Sequence, residues 1–215
     1  MRGARGAPDQ VREKKDQLRR RVTSRRRRLR LEELRSAANA LCDVLLEVPE
    51  VGRAAVVAAY VAVGTEPGTG PLLDALLRRG IHVLLPVMLP DGDLDWASYD
   101  ADTRLVPATY GLMQPDGPTL GPAAIGAADA VLVPGLAVDR TGLRLGRGGG
   151  SYDRALPRLA PEAFSCALLH DGEVLDQPVP HDDHDQRVRA AATPSGLIRF
   201  DLRNVERAAR ACPMT

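Results

Sequence analysis

Short continuous apolar runs alternate with stretches of helical spacing through most of the chain. The runs cover residues 54–63, 81–88, 130–133 and 164–169. Between the first two, Pro71 stands at a helix start, Leu72, Leu73, Ala75, Leu76 and Leu77 follow at helical spacing, and Gly80 supplies a stop. This stretch reads as strand, helix, strand. Uninterrupted apolar strands alternating with helices predict an α/β fold with a mostly parallel sheet, because such a sheet must be covered on both faces. From Leu94 to Tyr99 the pattern alternates instead, which suits a shorter exposed strand or hairpin arm. Upstream, Leu18, Val22, Leu29, Leu34, Ala38, Leu41 and Leu45 recur at near-helical spacing and predict one or two amphipathic helices. Residues 1–10, with Gly3, Gly6, Pro8 and few apolar side chains, are expected to be disordered. Residues 11–200 then form a single domain and 201–215 a C-terminal tail.

Composition narrows the class. A length of 215 residues is ample for one buried core, and 44% hydrophobic with 27% charged residues excludes a disordered or fibrous chain. Aromatic residues make up only 3%, so the core must be built from Leu, Val and Ala, and any bound ring has few stacking partners. Cys42, Cys166 and Cys212 are odd in number and widely spaced, which argues against a disulfide framework or a zinc site and for a reducing, cytoplasmic setting. No apolar run reaches the roughly 18 residues of a membrane span, and no apolar segment follows the basic N-terminus as it would in a secretory signal.

The net charge of +1 conceals an asymmetry: residues 1–35 carry 14 Lys or Arg against five acids, and the rest carries 15 against 23. The run Arg25, Arg26, Arg27, Arg28 could be a nucleic-acid or polyphosphate patch, but a solvated helix face is the expected reading, and a nucleic-acid partner is not favoured.

The densest chemical signal runs from Val133 to Arg154. An apolar strand leads into a loop with four glycines in five positions, Gly146, Gly148, Gly149 and Gly150, and residues 151–159 then read as a helix. Amides free of side chains beside a helix start suit phosphate. The loop lacks the Lys-Ser or Lys-Thr of a Walker A motif and the G-x-G-x-x-G spacing of a dinucleotide fold, so alone it can equally be a simple turn.

The run PGLAVDRTGLRLGRGGGSYDR, from Pro134 to Arg154, resembles the signature of the 5-formyltetrahydrofolate cyclo-ligase family. That family carries K-x-x-L-R on its first helix, which Lys15, Leu18 and Arg19 match in a chain whose only lysines are Lys14 and Lys15. The stretch from Ala59 to Pro67 resembles the family's strand and loop with a substrate-contacting glutamate, here Glu66. Weaker likeness at residues 110–115 and at His184-Asp185 extends the match over residues 15–195.

The resemblance implies a single-domain, three-layer Rossmann-like α/β sheet with helices on both faces. It also implies ATP- and Mg²⁺-dependent cyclisation of 5-formyltetrahydrofolate to 5,10-methenyltetrahydrofolate, with ADP and phosphate released. Carried over by position, Lys15, Arg19, Leu145, Gly146, Arg147, Gly148, Gly149, Gly150, Ser151, Tyr152 and Asp153 would cradle ATP. Arg147 and Lys15 would act on the transferred phosphate, Asp153 would hold Mg²⁺, and Val61, Glu66 and Tyr152 would contact the folate. The partners expected are these small molecules, with a monomer favoured. Three positions depart from the family pattern: Ser151 where a second tyrosine is common, Gln114 where a glutamate is, and Arg189 where some relatives have a second magnesium-binding aspartate. They leave open a weakened relative that binds folate or nucleotide as a sensor, or one acting on another formylated substrate.

Overall fold

The computed structural model describes residues 7–202. Helix α1 (Ala7–Arg26) starts inside the stretch expected to be disordered; Cys212 and residues 203–215 of the expected tail lie outside the described residues. Helix α2 (Leu31–Leu46) begins where the Arg30 amide donates to Glu33 Oε2 at 2.7 Å, and α3 (Pro49–Gly52) is a single turn opened by proline. The expected strand–helix–strand unit follows as β1 (Val56–Ala58), α4 (Gly70–Arg78) and β2 (His82–Met88). β3 (Leu94–Tyr99), β4 (Leu105–Pro107) and β5 (Met113–Pro115) lead to β6 (Ala130–Pro134). After β7 (Ala137–Asp139), β8 (Arg144–Leu145) and α5 (Ser151–Ala155) come β9 (Phe164–Leu168), β10 (Val174–Leu175), β11 (Ala190–Thr193) and β12 (Gly196–Arg199).

Seven strands form one mixed sheet in the order β12-β11-β9-β6-β1-β2-β3. The five inner strands are parallel, and β3 and β12 close the two edges antiparallel. This is a single α/β domain. The four apolar runs became β1, β2, β6 and β9: β1 is much shorter than its run, β2 and β9 each one residue shorter, and β6 one residue longer.

Period-two alternation splits each inner strand between two cores. Val57, Val83, Leu85, Leu132, Cys166 and Leu168 face α2 and α4, whose Leu41, Leu45, Leu72 and Leu76 meet them. Ala58, Leu84, Val131, Val133 and Ala167 face the other side, where Trp96, Ile125, Ala155 and Leu156 cover them. Burying each such leucine contributes roughly 2 kcal/mol. The second face is roofed by 3₁₀ turns at Pro122–Ala127 and Leu156–Arg158 and by the five-residue α5. The helix expected over 151–159 therefore ends as an α-turn at Ala155, where Pro157 offers no amide to continue it.

A third cluster joins α1 to the small sheet β10-β7-β8 through Val22, Leu136, Ala137, Leu143 and Leu145. The buried residues of α1 are Lys15, Val22 and Arg26, and Leu18 packs partly buried against the same cluster, so this helix docks with two apolar residues between two cations. Among the described residues no helix is long and apolar enough to cross a membrane.

Candidate active site

The loops leaving the carboxyl ends of β1, β6 and β9 converge with α1 and the glycine-rich loop, the place where open α/β sheets offer a crevice. The β7–β8 hairpin that carries the glycine loop is fixed from below. Buried Asp139 accepts from the amides of Thr141 and Val179 at 2.8 and 2.9 Å and from the Thr141 hydroxyl at 2.6 Å. Leu145 is buried in the third cluster, so it anchors the loop through its side chain rather than lining it.

Beyond that anchor the glycines are needed for their conformation. Gly148 and Gly150 have φ of 105° and 68°, which other L residues rarely adopt. A Cβ on Gly148 would stand 3.3 Å from the Arg19 guanidinium carbon. Arg19 Nε donates to the Gly146 carbonyl at 3.0 Å, and Arg154 reaches the Gly149 and Gly92 carbonyls at 2.9 and 2.5 Å. Arginines thus hold the loop's carbonyls, whereas the amides of Arg147, Gly148, Gly149 and Gly150 have no acceptor among the described residues. Four free amides beside two guanidinium groups are suited to a polyanion.

Lys15 and Arg19 do share one face of α1, but they part company at their tips. Arg19 goes to the loop and to Asp16, while the Lys15 ammonium sits 2.7 Å from Asp182 Oδ2 and 2.5 Å from Asp185 Oδ2. Burial opposes the Lys15 charge, yet the hydrogen bonds to Asp182 and Asp185 outweigh it and raise its pKa.

Glu66 lies on the turn after β1, 7% exposed, with Oε2 accepting the Val63 amide at 2.9 Å and Oε1 3.0 Å from the Arg147 guanidinium. Burial raises its pKa, and the Val63 amide and Arg147 pull it back. The hydroxyls of Tyr60 and Tyr152, close enough for the Glu66 charge to act on both, are buried and have no hydrogen-bond partner among the described residues. Burial pushes both phenols upward, so they remain donors. Two unpaired buried hydroxyls beside a buried carboxylate leave hydrogen-bonding capacity that a polar ring could meet. Val61 is half-buried on the same turn and packs against the first core.

Asp153 Oδ1 accepts from Arg144 at 3.0 Å and from the Gln186 amide at 3.2 Å, leaving Oδ2 without a donor among the described residues. One free hard oxygen next to the free amides of the glycine loop fits Mg²⁺, which commonly takes one or two carboxylates with the rest of its shell from phosphates and water. Among the described residues no group of three His, Cys, Asp or Glu could hold a metal unaided. Arg189 lies elsewhere: its amide bonds Ser165 and its guanidinium the Pro161 carbonyl, at the start of β9 rather than its end. His184 is exposed and joins no such group. Gln114 is an internal contact, its Oε1 accepting the Met88 amide at 3.1 Å, and the Ser151 hydroxyl also meets Met88 at its sulfur.

The structure corrects the reading of the basic run and adds residues that spacing did not reveal. Arg26 is 3% exposed and paired with Glu173, and Arg25 bonds the carbonyls of Asp171 and Gly172, so this is not a uniformly solvated face. Arg144, buried with Nε unpaired and its guanidinium 5.8 Å from the Tyr152 ring centre, sits inside the signature yet carries no label in sequence. Asp182 and Asp185, too, gain their meaning only from Lys15, 167 and 170 residues away.

Comparison with known proteins gives the chain's family and fold. Residues 11–194 match the model of the 5-formyltetrahydrofolate cyclo-ligase family. A 5-formyltetrahydrofolate cyclo-ligase of Mycolicibacterium smegmatis is 47% identical over 148 residues, 66% of this chain and 75% of that protein. Its Escherichia coli K12 namesake is 29% identical over 177 residues, 81% of this chain and 97% of its own. Among solved structures, a 5,10-methenyltetrahydrofolate synthetase of Aquifex aeolicus superposes with a TM-score of 0.74 at 28% identity, covering 88% of this chain and 93% of its own.

Proposed function

The chain belongs to the 5-formyltetrahydrofolate cyclo-ligase family, and from that premise we propose that it spends ATP to close 5-formyltetrahydrofolate into 5,10-methenyltetrahydrofolate. In this reading the formyl oxygen attacks the γ-phosphorus and ADP leaves. N10 then adds to the activated formyl carbon with loss of its proton, and departure of phosphate completes the ring. Such chemistry asks for charge neutralisation and close positioning, not for a covalent residue.

The observation that carries the reading is the meeting of Arg147 and Glu66 at 3.0 Å, a half-exposed guanidinium at the rim of a buried, hydrogen-bonding niche, which supports a phosphate site next to a ring site. The free amides of the glycine loop, Arg19 and Lys15 suit the triphosphate; Tyr60, Tyr152 and Glu66 suit the N–H-bearing ring, with Val61 as the apolar wall. Arg147, half exposed, is free to move from Glu66 to a transferring phosphoryl group. Asp153 would hold Mg²⁺, which supplies charge neutralisation across the phosphates. Lys15 would exchange its carboxylate partners in part for phosphate oxygens.

The test is the absorbance of methenyl-folate formed from 5-formyltetrahydrofolate with and without ATP and Mg²⁺. Product that requires both supports the proposal, whereas no product from folded protein rejects it in favour of a binding-only relative or another formylated substrate.

A further inference from the structure

One buried ion pair lies outside the machinery just described. Arg26, in the last turn of α1, and Glu173, in the loop after β9, are 3% and 2% exposed. Arg26 Nε and a terminal nitrogen donate to the two Glu173 oxygens at 2.8 and 2.6 Å, and that terminal nitrogen also donates to the Gly135 carbonyl at 2.7 Å. Glu173 Oε2 accepts the His170 amide at 2.8 Å, and His170 Nε2 meets the carbonyl of Thr65 at 3.1 Å. Thr65 is the residue before Glu66. A continuous chain of hydrogen bonds therefore runs from the end of the first helix, past the exit of β6, to the turn that carries the buried carboxylate.

The Glu66 turn has bonds of its own, from the Val63 amide to Glu66 Oε2 and from the Glu66 amide to the Val63 carbonyl at 3.2 Å. These fix its shape but not its place against the sheet, since both partners move with the turn. The His170 contact reaches it from another strand's exit and does fix its place. A carbonyl partner requires Nε2 to carry the proton, and burial keeps the ring neutral by lowering its pKa.

We propose that Arg26, Glu173 and His170 form a strut that positions the Thr65–Glu66 turn, making them positioning residues for the folate half of the reaction. The proposal rests on the reading of Glu66 as the folate contact. The strut also links α1, whose Arg19 holds the glycine loop, to the folate niche, so that the two substrate sites are set against one frame.

The experiment compares His170→Leu, His170→Gln and Glu66→Gln in full steady-state kinetics against both substrates. Loss of one hydrogen bond to the turn should raise the KM for 5-formyltetrahydrofolate roughly fivefold, with kcat and the KM for ATP within twofold. His170→Gln, whose amide can donate to the same carbonyl, should restore the folate KM to within twofold of the wild type. Amide hydrogen exchange over residues 63–67 should quicken in His170→Leu and not in His170→Gln, a readout that stands even if His170→Leu is poorly active. An equal rise in both KM values, an equal effect of Leu and Gln, or unchanged exchange overturns the strut. If Glu66→Gln itself leaves the folate KM unchanged, the underlying reading of Glu66 fails; if it raises that KM while His170→Leu does not, only the strut fails.

Discussion

Two arginine–carboxylate pairs stand a short way apart and are built to opposite ends. In the Arg26–Glu173 pair both partners are buried and three donors converge on the two carboxylate oxygens. In the Arg147–Glu66 pair the carboxylate is buried but the guanidinium side chain is 50% exposed, and unpaired hydroxyls of Tyr60 and Tyr152 remain nearby. Burial alone does not distinguish the two pairs; the number of committed donors does. Both Glu173 oxygens already accept from buried donors, whereas the open pair has an arm that can swing away.

The comparison breaks most visibly at the sealed pair. Arg26→Ala strands a buried carboxylate, and denaturant unfolding should show a loss of about 3–5 kcal/mol. Replacing both partners, Arg26→Met with Glu173→Leu, should recover most of it, which would assign the loss to the stranded charge rather than to the pair's own worth. At the open pair the balance reverses. Arg147→Ala should cost about 1 kcal/mol or less in the same unfolding experiment, because the arginine is solvated. Its turnover should nevertheless fall about 100- to 1,000-fold with nucleotide binding little changed, the scale of losing one donor to a developing charge. Unaltered turnover would remove Arg147 from the chemistry.

The smallest effect concerns stability against pH. Burial raises the Glu66 pKa above its unfolded value, so its protonated form favours folding and that contribution disappears as pH rises through the folded pKa. Glu66→Gln should accordingly be more stable than the wild type near neutrality, with the gap closing as pH falls below the ordinary carboxylate range. A gap that widens on acidification would contradict the burial argument.

The sheet was legible where apolar runs were long enough to be strands buried on two faces, as at β1, β2, β6 and β9. It was not legible at β11, where Ala190, Ala191 and Ala192 lack the branched side chains that mark a strand. Small residues suit that place because α2 packs over it. Two-residue strands such as β8 and β10 leave no period to detect. In the site, the glycine loop, Glu66, Lys15 and Arg19 were visible as motif positions, but their pairings were not. Arg26 and Glu173 are 147 residues apart, and nothing local in either stretch announces the other. Arg189 shows the converse, a position in register with a motif whose backbone lies at the wrong end of a strand.

Trp96, the chain's single tryptophan, is wholly buried on β3 against Leu156 and Ala155, in the cluster that Tyr152 also touches. The molecule therefore carries one tryptophan fluorophore, which can be excited apart from its tyrosines, shielded from water and set beneath the short helix that follows the glycine loop. Its emission is a label-free signal: a red shift marks unfolding, and a change in intensity on adding nucleotide reports movement of the loop's own floor.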